Sequence, residues 1–575
     1  MLSKRCPGSP LPLVCLTAVM ASMAVAVGCG QPEADTVDTG EPIVSLSTEE
    51  PVSVTGGQIK GARSDANPDV MAFKGVPFAA PPIGDLRWRP PEPVEPWTGL
   101  RDATASGSAC VQDGFQVGPD VPQSEDCLFL NVWAPRETTE ALPVMVWIHG
   151  GGYLFVSGSN PSRDGTHLAA KGVVLVSINY RLNVFGFMAH PALSAESDHD
   201  ASGNYGLMDM VTALEWVRDN IAAFGGDPGR VTIFGESAGG GAVMSMMLMP
   251  QSDGLFHRAI AQSTWINGWD RPLRDRLGDW GSAEAQGAQI AEALGATGAD
   301  VPAAMRAATA AEVSAAARDG AGNLFTRTGY LWAPNVDGLT IPNDPFLMYQ
   351  SGQQHNVPLI TGMNENEGSV FTGQLEIDDV DDFETHVRTV YPIVADDALA
   401  MYQATAPESA RTAIDHLVHD MLIAGPVRTQ AVTHVKVTSP VWLYHFTRVP
   451  PTDRGATLGS HHAAEIGYVF GTMKPRRTAS EEAQLGGSDR GANEFTGEGD
   501  WTETDHQLSE TMMGYWVQFA ATGNPNREGL PAWTEFDALT NQHLTLGDSV
   551  VEGTWLHDEG GALFTAFETR RRAWD

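Results

Sequence analysis

Ser237 lies in Gly235-Glu236-Ser237-Ala238-Gly239, a G-x-S-x-G within the run V-T-I-F-G-E-S-A-G-G-G from Val231 to Gly241. Val231–Phe234 is β-branched and aromatic and predicts a buried strand. Gly240–Met249 is small and Met-rich and predicts a helix. A strand that turns straight into a helix strains the serine backbone and lifts its Oγ above the sheet edge, where it can act as a nucleophile. The flanking glycines leave room for the neighbouring strand and helix, and the first N–H groups of the helix point at whatever sits on the serine. With 61 glycines in 575 residues, the same pattern also fits an ordinary glycine-rich turn, so context decides.

A serine nucleophile needs oxyanion donors, an acid and a histidine, with the acid and histidine following it in that order. His149-Gly150-Gly151-Gly152 follows an apolar run and lets backbone N–H groups approach a substrate oxygen without side-chain obstruction. Val357–Gly362 reads as a strand and leads into Met363-Asn364-Glu365-Asn366-Glu367-Gly368-Ser369, which offers two carboxylates. Sixteen histidines compete for the base, and a doubled His461-His462 lies downstream of both carboxylates. No cluster of ligand spacing accompanies that doubled histidine, so neither a metal nor a cofactor is expected.

The elements that must position these groups alternate. Pro143–Ile148 and Val173–Ile178 predict strands, Leu207–Asn220 has helical apolar spacing, and Phe224–Pro228 reads as a turn into the nucleophile strand. Such alternation predicts a parallel sheet covered on both faces. Met71–Pro82 is proline-rich and is expected to be extended, irregular chain at the edge of the core. Ser124–Trp133 reads as half loop and half strand.

Five stretches together resemble the type-B carboxylesterase (carboxylesterase/cholinesterase) family of α/β-hydrolases. They are F-K-G-V-P-F-A-A-P-P from Phe73, S-E-D-C-L-F-L-N from Ser124, H-G-G-G from His149, F-G-G-D-P-G-R-V-T-I-F-G-E-S-A-G-G from Phe224, and Y-W-V-Q-F-A-A-T-G-N-P-N from Tyr515. The resemblance implies an α/β fold of the α/β-hydrolase type, a large, mostly parallel central sheet with helices on both faces, in one domain over 53–575. It implies hydrolysis of small-molecule carboxylic esters through an acyl-enzyme on Ser237. By its motifs Glu367 is the acid, His462 the base, and the N–H groups of Gly151, Gly152 and Ala238 the oxyanion donors. His149 is then structural. Adhesion members of the family lose triad residues, whereas this chain keeps all three. Cholinesterases carry a choline-binding tryptophan between the cysteines of their first disulfide; here Val111–Asp126 has Phe115 as its only aromatic residue, which favours a general carboxylesterase.

The net charge of −36 argues against nucleic acid and against an anionic bilayer as electrostatic partners. Lys4 and Arg5 precede an apolar stretch, Leu11–Val27, that ends in Ala26-Val27-Gly28-Cys29. This resembles a lipoprotein-type signal peptide over 1–28, with Cys29 lipidated and residues 29–52 as a disordered tether. The expected location is the cell envelope, lipid-anchored, or the periplasm or medium; the anchor would be the chain's only membrane contact. Export leaves Cys110 and Cys127 as an even pair in an oxidising compartment, so a disulfide is expected, and the pair also matches the family's first disulfide. Residues 474–504 read as a surface loop or a plain insertion. Neither the oligomeric state nor the acyl and alcohol groups are encoded in these motifs.

Overall fold

Apolar strands alternating with helices close into a central sheet of eleven strands. The computed structural model describes residues 43–112, 121–264, 271–275, 281–298, 300–319, 332–476, 498–554 and 558–573. The strands are β1 (Ala62–Arg63), β2 (Val70–Pro77), β3 (Phe129–Pro135), β4 (Leu142–Ile148), β5 (Val174–Ile178), β6 (Gly226–Glu236), β7 (Arg258–Gln262), β8 (Leu359–Asn364), β9 (Val441–Phe446), β10 (Gln542–Leu546) and β11 (Val550–Thr554). Their spatial order is β11-β10-β9-β8-β7-β6-β4-β5-β3-β2-β1. The block from β5 to β10 is parallel throughout, and antiparallel strands finish both edges.

Period-two alternation divides the core between the two faces. In β4, Val144, Val146 and Ile148 enter one apolar cluster, while Met145 and Trp147 enter the other. The first face is covered by α1 (Tyr205–Asn220) and α2 (Ala238–Met246), through residues such as Leu207, Leu214, Ala242 and Val243. The second face is covered by α6 (Glu503–Thr522), through Met512, Trp516 and Phe519. Because the central strands are parallel, their C-terminal ends lie along one edge of the sheet, where open α/β sheets bind ligands.

Three sequence expectations differ from the structure. The stretch from Val70 to Pro77 is extended as expected, but as a largely buried strand paired in the sheet. Its prolines cluster at and beyond the strand end, and its one irregularity lies between Phe73 and Val76, where Gly75 has φ +66°. The nucleophile strand begins at Gly226, inside the expected turn, where Gly226 pairs with Leu142. Residues 29–52 read as a disordered tether, yet Val44–Ser45 pairs with Glu137–Thr138 and Leu46 is buried. Residues 1–42, including Cys29, lie outside the described residues, as do Phe115 and 477–497.

Cys110 and Cys127 are disulfide-bonded, 17 residues apart in sequence. Closing a loop of this length stabilises the folded state by about 3 kcal/mol in the chain-entropy model. A Cys110→Ser/Cys127→Ser variant is expected to lose stability of that order in denaturant titration, and reductant should lower the midpoint of the wild type but not of the variant.

Candidate active site

The end of β6 delivers Ser237 to the sheet edge. Ser237 has φ +59° and ψ −125°, outside the comfortable range of a residue with a Cβ, and it is the cap from which α2 starts. Its backbone is held on both sides: Ser237 N–H donates to Gln262 O at 3.0 Å, and Gly241 N–H donates to Ser237 O at 2.9 Å. The two motif glycines are needed for close approach. A Cβ on Gly235 would meet Gly239 and the Ile148 carbonyl, and one on Gly239 would overlap that same carbonyl.

The end of β4 delivers the glycine loop beside the serine. A Cβ built on Gly150 would lie 3.0 Å from the Ser237 Cβ. Gly151 and Gly152 have φ of +93° and +63°, conformations that favour glycine. Ala238 is buried as the first residue of α2, where the helix leaves its N–H groups without intrahelical partners. His149 is buried beneath the loop. Its Nδ1 donates to Gly150 O at 2.9 Å, and Tyr180 stacks on its ring with centroids 4.4 Å apart. The Tyr180 hydroxyl donates to His149 O at 2.7 Å.

The end of β8 delivers the carboxylates. Glu367 is fully buried, with Oε1 accepting the Asn364 N–H at 2.6 Å and Oε2 lying 2.5 Å from His462 Nδ1. The side chain of Glu365 is 52 % exposed and pairs with His445 Nε2 at 2.9 Å. His461, also buried, donates from Nδ1 to His462 O at 2.8 Å, and its own carbonyl accepts Asn364 Nδ2 at 2.8 Å. Of the two carboxylates and two adjacent histidines, the structure therefore brings Glu367 and His462 together. His462 Nε2 lies 3.1 Å from Glu236 Oε1, close enough for charge pairing but out of line for a hydrogen bond. The Phe371 ring packs on His462 at 4.7 Å.

The model of the Carboxylesterase family matches residues 48–558. Fumonisin B1 esterase of Sphingopyxis macrogoltabida is 35 % identical over 518 residues, which are 89 % of this chain and 90 % of that protein. Para-nitrobenzyl esterase of Bacillus subtilis (strain 168) is 34 % identical over 88 % of this chain and 96 % of its own length. This chain belongs to the carboxylesterase family. A solved structure of PNB esterase superposes with a TM-score of 0.74 at 31 % identity, over 90 % of this chain and 99 % of that one. The fold is thus that of the α/β-hydrolases, and the protein is a carboxylic ester hydrolase.

Burial and crowding set the electrostatics of this carboxylesterase. Burial lifts the Glu236 carboxyl to about 8; Glu465 and Glu367 add to the rise, and His462 and Arg163 oppose it. Burial alone would lower His462, but the carboxylates of Glu236 and Glu367 raise it to about 9. Burial would also raise Glu367; the charge of His462 and hydrogen bonds from His462 and the Asn364 N–H hold it below its ordinary value instead. His149 and His461 are pushed down by burial, to about 3 and about 4, the opposite direction to His462. Glu465 is buried among the same groups, accepting Gln262 Nε2 at 2.9 Å and Asn364 Nδ2 at 2.7 Å.

Sequence reasoning did not single out Glu236, Glu465, Tyr180 or Asn364 as parts of this arrangement. For three of them the only sequence signal is proximity to the motifs. Glu236 precedes the serine, Glu465 closes H-A-A-E, and Asn364 opens N-E-N-E-G. Tyr180 follows β5 and carries none.

Glu236 and Glu367 both raise His462, so removing one charge must lower it. In Glu236→Gln, the His462 imidazole is expected to titrate at lower pH than in the wild type, followed by NMR of ¹³C-labelled histidine. An unchanged or higher midpoint would contradict this electrostatic account.

Proposed function

We propose that this enzyme cleaves small-molecule carboxylic esters through an acyl-enzyme on Ser237. His462 removes the Ser237 proton at Nε2 as Oγ attacks the ester carbonyl carbon. The carbonyl electron pair moves to oxygen, and the N–H groups of Gly151, Gly152 and Ala238 receive the oxyanion. Donors of this kind contribute about 10²–10³ each in rate. Collapse of the tetrahedral intermediate expels the alkoxide, which takes the proton back from His462. Water then repeats the sequence on the acyl-enzyme and releases the acid. Glu367 holds the tautomer that leaves Nε2 free and stabilises the imidazolium that forms.

The observation that carries this reading is the buried 2.5 Å contact of His462 Nδ1 with Glu367 Oε2, beside an elbow that holds Ser237 at positive φ. Similarity to para-nitrobenzyl esterase and fumonisin B1 esterase supports the substrate class.

Ser237→Ala, Glu367→Gln and His462→Ala are each expected to lower kcat on a p-nitrophenyl ester by about 10³-fold or more. Glu365→Gln should stay within roughly tenfold of wild type, because its carboxylate belongs with His445. Thermal unfolding measured alongside separates lost chemistry from lost fold. An active, well-folded Ser237→Ala, or an inactive Glu365→Gln beside an active Glu367→Gln, would overturn the assignment.

For location, the basic start, the apolar stretch and Ala26-Val27-Gly28-Cys29 support export with lipid on Cys29. Two or more acyl chains give stable anchoring where one chain gives marginal binding. Wild type is expected in the membrane fraction of expressing cells and Cys29→Ser in the soluble fraction; a wild type found wholly in the periplasm or medium would refute the anchor.

A further inference from the structure

A side chain that no motif marks holds the backbone of Glu367. The Glu367 N–H donates to Nδ1 of His419 at 3.2 Å, across 52 residues of sequence. The carbonyl of the same peptide, Asn366 O, accepts the Ser369 hydroxyl at 3.1 Å. One peptide plane is thus pinned at both ends, immediately before the Cα that carries the carboxylate. Both His419 and Glu367 are buried.

Two helices pack together here, α3 (Gly368–Thr372) and α4 (Pro407–His419), and α5 (Gly425–His434) follows in the chain. His419 ends α4, and the chain passes through a π-turn, Asp420–Ala424, before α5 begins. A π-turn inserts an extra residue into the helical repeat and re-aims the side chains beside it; such turns concentrate at functional sites. Asp420, the first residue of the turn, accepts the Tyr402 hydroxyl at 2.6 Å, which ties the turn to the chain after helix Ala395–Met401. The end of α4 also rests directly on the backbone that follows Glu367. A Cβ on Gly368 would overlap Asp415 O and crowd His419 N. The contact is therefore built into the packing of α4 on α3.

We propose that His419 is a positioning residue for Glu367: through the Glu367 N–H it sets the height and rotation at which the carboxylate meets His462. This rests on reading Glu367 as the acid. Three side-chain torsions separate the Glu367 backbone from its carboxylate, so a small tilt of the peptide is magnified at Oε2. A displacement on the order of 1 Å at a reacting centre can cost about 10²-fold in rate. His419 contacts neither the ester nor the serine in this scheme, so its removal should act on kcat and leave KM alone.

The test uses His419→Leu and His419→Asn in the full-length protein, with a p-nitrophenyl ester as substrate. Asparagine places Oδ1 near the position of Nδ1 and keeps the acceptor; leucine fills the space and removes it. His419→Leu is expected to lower kcat by about 10- to 100-fold with KM within twofold. His419→Asn should remain within about threefold of wild type while losing comparable thermal stability. In a Glu367→Gln background, His419→Leu should cost little more, because residues that act as a unit are non-additive. The inference is overturned if both His419 variants lose kcat together in step with their melting temperatures. It is also overturned if the loss in His419→Leu persists undiminished in the Glu367→Gln background. A fully active Glu367→Gln would instead remove the acid assignment, and this inference with it.

Discussion

A carboxylate and an imidazole 2.5 Å apart, both buried, form the interaction on which the rest of this site depends. Burying either group alone costs far more than burying them as a hydrogen-bonded pair. The two loops that carry them must therefore close on each other. Asn364 bridges them through its side chain, donating to His461 O and to Glu465, and the Asn366 N–H donates to Ser460 O at 2.9 Å. The parallel pairing of β8 with β9 brings the two loops to the same edge, since the Glu365 N–H and the Ser460 hydroxyl both donate to Phe446 O at the end of β9.

Around this pair the protein gathers carboxyl groups. Glu236 and Glu465 join Glu367 within one buried region, with Arg163 buried near them. Each carboxylate left ionised favours the protonated form of His462, and each is itself pushed toward neutrality by burial and by the others. Glu465 is offset by two amide donors, Glu367 by His462 and a backbone N–H, and Glu236 by its closeness to His462 Nε2. The neighbouring histidines take the opposite course. His149 and His461 each donate Nδ1–H to a backbone carbonyl, and burial keeps them uncharged. Histidines in adjacent loops are thus shifted in opposite directions from the ordinary value because their surroundings differ.

His149 also shows how the glycine loop keeps its shape. Glycines at positive φ lose much conformational freedom on folding and have no side chain to anchor them. The loop is therefore braced from below, by the His149 ring on Gly150 O and by the Tyr180 hydroxyl on His149 O. In a trans peptide the carbonyl of Gly150 and the N–H of Gly151 share one plane. Pinning the carbonyl thus also aims the N–H.

Much of this architecture follows from local pattern. Alternating apolar residues and β-branched runs determine β4, β5 and the core of β6, and the spacing of small residues determines the elbow, because Gly235 and Gly239 must admit the Ile148 carbonyl. Motif spacing also singles out Glu367 and His462, the pair that lies in contact. Residue type alone does not separate Glu365 from Glu367, because two carboxylates two residues apart have the same chemistry. Tertiary structure decides between them: a strand-end turn sends Glu365 outward to His445 and Glu367 inward to His462. The same reason hides His419, Tyr180 and Gln262 from sequence reading. Each acts on the site across tens to hundreds of residues, through hydrogen bonds whose partners are chosen by helix packing and strand register. Sequence determines which groups are able to react, through their types and local turns; only the folded chain determines which of them are buried together, and burial sets their charge and their partners.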